Sequence, residues 1–317
     1  MKPAVRPWAA VAGLVLGAAI AGPAAFGGCE LDLSSREAMV KTSGKCHGFY
    51  AEDGGFGKKQ PAPKRVAIGT FQIRFDLETQ EYGSIHVGPW VTIDGTKTNF
   101  FELPLADYEQ LTDVLYDSFV ETLRGAGIDV ATVEQVKATE LWKTIEADDE
   151  PKYRPGELVR TTAYGLPNFK MRGMSQAQNK LAGLNKELGT DAVLTVYGTL
   201  GLAQLKKGGV QLMLGSLKKS YVGLPALDVA VLGGFREGKL PGGKLVYQPK
   251  IQAAFGARAN PPSYLLYSEA VRPLVKRGLF TGPQYGEDVG AYVDGVTTLF
   301  TIASELGLAH WAAATGG

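Results

Sequence analysis

The chain has 317 residues, of which 45% are hydrophobic and 21% charged, a balance that suits one large globular domain or two small ones and excludes disorder throughout. Its 33 basic and 32 acidic residues leave no surplus of either sign, so the electrostatic footprint of a nucleic-acid binder is missing. The 41 glycines and 17 prolines fall mainly between periodic segments, and no internal repeat is visible.

Lys2 and Arg6 open the chain with positive charge, and Trp8 to Ile20 is almost wholly Ala, Val, Leu and Gly. That run is too short for a stable membrane span, and the order of charge, apolar run and small residues predicts an export signal over residues 1–27. Ala25-Phe26-Gly27 fits the small-x-small pattern of a cleavage site just before Gly28. Without Lys2 and Arg6 the mature chain carries 31 basic against 32 acidic residues. Phe26-Gly27-Gly28-Cys29 also resembles the lipobox of bacterial lipoproteins, with Phe26 where that motif usually has Leu. The resemblance implies that Cys29 is lipidated and becomes the new amino terminus, acyl chains supplying membrane affinity. The alternative is a disulfide: Cys29 and Cys46 are the only two cysteines, and a bond between them would close an 18-residue segment in an oxidising compartment.

Residues 28–64 are poor in apolar side chains and include Gly54-Gly55-Phe56-Gly57 and Pro61-Ala62-Pro63, which predicts a loop or tether. Arg65 to Phe75 reads as the first strand of an α/β domain over residues 65–256, and Glu81 to Leu103 as an inserted hairpin around Gly88-Pro89 and Asp94-Gly95. Asp107 and Gln110 resemble a capping box. From there Tyr108, Leu111, Leu115, Phe119 and Leu123 recur at helical spacing until Gly125 and Gly127. Ile128 to Val130 is a short strand, Val133 to Ile145 a weaker helix ending in a solvated acidic cluster, and Arg154 to Arg172 a long surface excursion. Ser175 and Gln178 cap a helix with Ala177, Leu181, Leu184 and Leu188 inward, ended by Gly189. Ala192 to Leu202 is a strand, Lys206 to Gly209 a turn and Val210 to Leu217 another strand. Ala226 to Phe235 and Lys244 to Phe255 form a hairpin across Gly238 to Gly243. Residues 257–317 are expected to be helical and packed on the domain, as Ser263 to Arg277 and Asp288 to Leu308.

The expected fold class is α/β (α+β), a mixed sheet flanked by helices, with an inserted hairpin and a helical carboxyl terminus. This order resembles the α/β domain shared by the curli-secretion lipoprotein CsgG, the lipoprotein activators of penicillin-binding proteins and the amino-terminal domain of TolB. The resemblance rests on Arg65 to Phe71, on Leu111 to Leu123 and most specifically on Leu188-Gly189-Thr190-Asp191-Ala192-Val193-Leu194-Thr195-Val196-Tyr197-Gly198, with Ala226 to Phe255 as the closing hairpin. It covers about 130 positions and departs at Glu81 to Leu103 and Arg154 to Arg172. It implies a periplasm-facing lipoprotein that assembles or regulates an envelope machine by protein binding, and it transfers no catalytic residue.

Gly238 to Leu245 nearly matches a phosphate-binding loop but has Leu245 where a Ser or Thr should hold magnesium. His47, His86 and His310 stand far apart without ligand-type neighbours at metal spacing, position 43 is Ser where covalent haem attachment needs Cys, and no Gly-x-Ser-x-Gly elbow occurs. The expectation is a non-enzymatic envelope protein without metal or cofactor. It is held to the membrane by an amino-terminal lipid anchor and acts through an envelope protein partner or self-association. The alternatives are an oligomeric outer-membrane secretion pore, for which only Leu202 to Leu224 offers a spanning hairpin and carries Lys206, Lys207, Lys218 and Lys219, and an unrecognised periplasmic hydrolase.

Overall fold

A computed structural model describes residues 25–26, 29–30, 38, 41, 49–53, 62–87, 91–100, 103–147, 153–154, 157–169, 176–202, 222–243, 245–258, 266–268 and 289–315. The strands are β1 (Ala25–Phe26), β2 (Cys29–Glu30), β3 (Phe49–Asp53), β4 (Arg65–Asp76), β5 (Glu78–Val87), β6 (Val91–Phe100), β7 (Asp129–Val130), β8 (Tyr153–Arg154), β9 (Leu158–Thr162), β10 (Ala192–Leu202), β11 (Val222–Lys239), β12 (Leu245–Arg258) and β13 (Leu266–Ser268). The helices are α1 (Leu105–Gly125), α2 (Val133–Ala138), α3 (Glu140–Lys143), α4 (Gln176–Leu181), α5 (Leu184–Leu188) and α6 (Val289–Thr315).

The fold is α/β, a mixed sheet flanked by helices. Its spine runs β12–β11–β10–β4–β9–β8, with β3 outside β12, β13 beside the start of β11 and β7 beside the start of β4. β4 is parallel to β10 and β7, and the other spine pairings are antiparallel. β4, α1 and β7 form a parallel crossover unit, and β5–β6 is a separate two-stranded sheet inserted between β4 and α1.

β4 passes its side chains to two cores, and one glycine sets their phase. The register jumps from Leu194 opposite Ile68 to Thr195 opposite Thr70, so Gly69 is an extra residue. Val66 and Ile68 before it, and Phe71, Ile73 and Phe75 after it, therefore reach the same core. A Cβ at Gly69 would lie 2.9 Å from Val193 and 3.3 Å from Leu181, so the bulge also lets the second layer approach the strand. On the first face, α1 and α6 pack over β4, β10, β11 and β12. Phe71 joins them, its ring 5.4 Å from Tyr116, 5.9 Å from Phe119 and 5.7 Å from Phe300. The Ser118 and Thr301 hydroxyls share a 2.7 Å hydrogen bond between the two helices. On the second face Ala67, Val193 and Leu232 meet Ala131, Val136, Phe169, Leu181 and Leu184.

The segment that carried the family resemblance has a structural job. Asp191 accepts hydrogen bonds from the amides of Lys64 at 2.8 Å and Arg65 at 3.0 Å, while its own amide donates to the Arg65 carbonyl at 2.8 Å. It thereby clips together the starts of β4 and β10. Gly189 just before it sits at φ 61°, the left-handed turn that ends α5.

Several expectations need correction. α1 starts at Leu105 behind Pro104, with no side-chain cap, because the Pro104 carbonyl already takes the amides of Asp107 and Tyr108. The capping box belongs to Thr132 and Gln135 instead. The helix expected over Val133 to Ile145 divides into α2 and α3 at Thr139, whose extended backbone and hydroxyl cap the second piece. Arg154 to Arg172 is no surface excursion as far as Phe169: it holds β9, which pairs with β4, and buries Leu158, Val159, Ala163, Leu166 and Phe169. The tether expected over 28–64 contains β3, an edge strand along β12. The helix capped by Ser175 and Gln178 is two short helices broken at Ala182-Gly183. Within the helix expected over Ser263 to Arg277, Leu266–Ser268 is a strand on β11, and Arg258 still belongs to β12. β11 begins at Val222, ahead of the expected Ala226. Lys206 to Leu217 and the signal's apolar run lie outside the described residues.

Candidate functional site

A cleft of about 310 Å³ lies on the outer side of α1, between that helix, the loop from β7 into α2 and the turn after β9. α1 contributes Tyr116, Asp117, Val120 and Arg124; Val130 to Glu134 form the opposite wall; Tyr164 closes one side. Sequence periodicity explains why α1 faces both ways. Leu111, Leu115, Phe119 and Leu123 are buried against the sheet, whereas Asp117, Glu121 and Arg124 are exposed. Tyr116 stands at the border, its ring against Phe71 on one side and Tyr164 on the other.

Tyr164 is held in an unusual backbone conformation, φ 49° and ψ 30°, the one non-glycine residue with positive φ among the described residues. Three anchors offset that cost. Its amide donates to Asp113 Oδ1 at 2.7 Å, its hydroxyl donates to Asp117 Oδ2 at 2.8 Å, and its carbonyl accepts from Lys137 Nζ. The Tyr164 and Tyr116 rings meet edge to face with centroids 5.4 Å apart. Gly165 follows at φ 67°, where Lys137 Nζ would lie 3.4 Å from an added Cβ.

Burial, reinforced by the Asp117 carboxylate, pushes both tyrosine hydroxyls far above their ordinary range, so at neutral pH each remains protonated and offers a hydrogen bond rather than a base. Asp113 is raised, chiefly by burial and further by the nearby Asp117 and Glu109 carboxylates. Glu134 is lowered by hydrogen bonds from its own amide and from the Thr132 hydroxyl. The cleft thus holds fixed carboxylates, hydroxyl donors and apolar walls from Val120, Val130 and Val133, an arrangement suited to binding.

The residues singled out by sequence lie elsewhere. Cys29 is in β2, opposite Phe26, and Ala25 of β1 reaches the sheet through one register pair with Tyr267. Cys46 and His47 lie outside the described residues, and with them the Cys29–Cys46 disulfide. The phosphate-loop-like run is the turn between β11 and β12, closed by the Gly243 amide on the Leu240 carbonyl at 3.0 Å, with Gly242 and Gly243 at φ 92° and 82°. His310, in α6, stacks on Phe49 of β3 at 5.7 Å. Among the described residues no three His, Cys, Asp or Glu side chains gather as metal ligands, and no helix is long and apolar enough to cross a membrane. Sequence reasoning missed the cleft, although Glu109, Asp113, Asp117 and Glu121 stand four apart on α1 and were open to reading as an acidic row. Nothing local announces Tyr164, which only the packing of the turn brings to that row.

The comparisons with known proteins add no relative: no family model matches the chain, and neither does any curated protein or solved structure.

Proposed function

We propose that this chain is an exported envelope protein, anchored through lipidated Cys29, whose α/β domain acts by binding a protein partner in the assembly, secretion or regulation of an envelope machine. The observation that carries the reading is the charged start, apolar run and small residues ending in Gly27-Gly28-Cys29. The cleft on α1 supports binding as the mode of action, because it sets accessible carboxylate acceptors and tyrosines beside apolar walls. Cleavage before Cys29 would remove β1, which one register pair joins to β13, and with it the pairing of β2, leaving the sheet from β13 onward intact. The test is an intact-mass spectrum of protein from membrane and soluble fractions, wild type beside Cys29→Ala. A mass beginning at Cys29 with a diacylglycerol and an acyl chain, absent in the variant, is the expected result. A soluble species beginning at Gly28 and two mass units below its reduced form would replace the anchor with the disulfide.

The pore is the second reading, and β5–β6 is the observation that favours it. Each strand has ten residues, the length a membrane-spanning strand needs. The register argues for less, because it sets Glu81 opposite Lys97 and Gln80 opposite Thr98, leaving neither alternate row apolar along its length. Leakage of liposomes loaded with a fluorescent dye, abolished by deleting residues 80–98, would promote the pore over the binding reading.

A further inference from the structure

We propose that the cleft between α1, the β7–α2 loop and Tyr164 receives one lysine or arginine side chain of the protein partner, and that the acidic row on α1 guides the basic segment carrying it. The proposal deepens the binding reading above and rests on it.

Five observations converge. The cleft, about 310 Å³, is at the small end of ligand sites, room for one long side chain rather than a large cofactor. Its lining sets two carboxylates, Asp117 and Glu134, against one guanidinium, Arg124. The apolar walls of Val120, Val130 and Val133 suit the aliphatic stem of a basic residue, and the tyrosine rings suit its cationic head. Tyr116 is only 5% exposed, yet its hydroxyl lines the cleft and has no hydrogen-bond partner among the described residues. That hydroxyl is not sealed from solvent, so it opens toward the cleft, where an incoming group can meet it. Tyr164 meanwhile occupies only one oxygen of Asp117, leaving Oδ1 to accept from an incoming ammonium or guanidinium.

Along α1, and running through the cleft at Asp117, Glu109, Asp113, Asp117 and Glu121 follow one another at four-residue spacing, about 6 Å per step along the helix. Like charges at that spacing destabilise a helix, so the row is a cost in the free chain that a basic segment would relieve. The nearby cations offset it only in part: Lys137, whose ammonium donates to the Tyr164 carbonyl, acts on Asp113 and Glu134, and Arg124 lies beyond the row on the last turn of α1. Charge complementarity therefore selects a basic protein segment over an acidic or neutral one.

The test is fluorescence anisotropy with the full chain as isolated and two labelled probes, penta-arginine and penta-lysine, beside fully acetylated penta-lysine. Binding of a basic probe and none of the acetylated peptide is expected. Tyr116→Phe, which keeps the ring and removes the hydroxyl, should weaken that binding about tenfold, the value of one hydrogen bond to a charged group. Asp117→Asn with Glu134→Gln should weaken it further, while Glu237→Gln on the remote β11 should leave it unchanged. Equal affinity of wild type and all variants would mean diffuse attraction and overturn the site, as would no binding up to millimolar probe. Tighter binding of free arginine than of penta-arginine would overturn the protein partner in favour of a small zwitterion. The mass spectrum at Cys29 reads the anchor independently, so peptide binding without an acyl chain would sink the anchor and leave the site standing. The reverse pair of results would sink the site alone.

Discussion

Gly256→Ala tests the closest backbone approach in the sheet. Gly256, on β12, lies opposite Asp228 at φ 153°, and a Cβ added there would fall 1.9 Å from the Leu227 carbonyl oxygen and 2.9 Å from its carbon. Real Cβ contacts stay above about 3.0 Å, so a gap of at least 1.1 Å must open between β11 and β12. The obstruction is backbone and has no rotamer to escape into. Above the strand α6 also comes close, since a Cβ added at Gly307 would fall 3.3 Å from the Gly256 Cα, so β12 has little room to retreat toward the helix. Overpacking costs about 1–3 kcal/mol, a residue at unfavourable φ about 1–2 and one weakened ladder bond about 1, for a total of about 3–6 kcal/mol. At about 2–4 °C per kcal/mol, the melting temperature should fall by roughly 6–24 °C. Differential scanning calorimetry would measure it, with Gly125→Ala as the control. That helical glycine has nothing within 4 Å of an added Cβ and should gain up to about 1 kcal/mol. A Gly256→Ala protein melting within 2 °C of wild type would refute the close approach and the β11–β12 register with it.

Asp191→Ala removes the acceptor of two strand-start amides and should cost about 1–2 kcal/mol in urea unfolding, with amide exchange accelerating at Lys64 and Arg65. Asp113 is raised by burial, so the folded state holds its proton more tightly than the unfolded state does. Its contribution to stability is present at low pH and is lost as pH rises through the raised value. Asp113→Asn should therefore gain on wild type as pH climbs from 4 toward 7, and a shrinking advantage over that window would contradict the assignment. His310 is lowered by burial, so the unfolded state binds the proton more readily. Stability from this group is present above its ordinary value of 6.5 and declines as pH falls below it. His310→Gln should flatten that limb of the unfolding curve between pH 6.5 and 5, and an unchanged limb would place the loss elsewhere.

The elements legible in the sequence were those whose residues repeat along one stretch of chain. The α1 stripe from Tyr108 to Leu123, the β-branched run of β10 and the glycine turn between β11 and β12 each carry their own periodicity, so the α/β order could be read without coordinates. β9 was missed because Leu158 and Val159 are its only strongly apolar residues, and its strand state comes from pairing with β4, more than eighty positions away. The sequence also supplied the acidic spacing on α1 and the cationic, apolar, small-residue order ending at Cys29, both properties of neighbours along the chain. Only the tertiary structure could decide that Gly69 shifts the phase of β4, since the alternation on either side is set by what Val193 and Leu181 leave room for. It likewise decided that Asp191 serves the strand starts, and that Tyr164 is bent into left-handed backbone to cap a cleft whose other walls lie 30 to 50 residues earlier. Such contacts depend on which surfaces meet once the core is packed, and no local pattern of residue types encodes them.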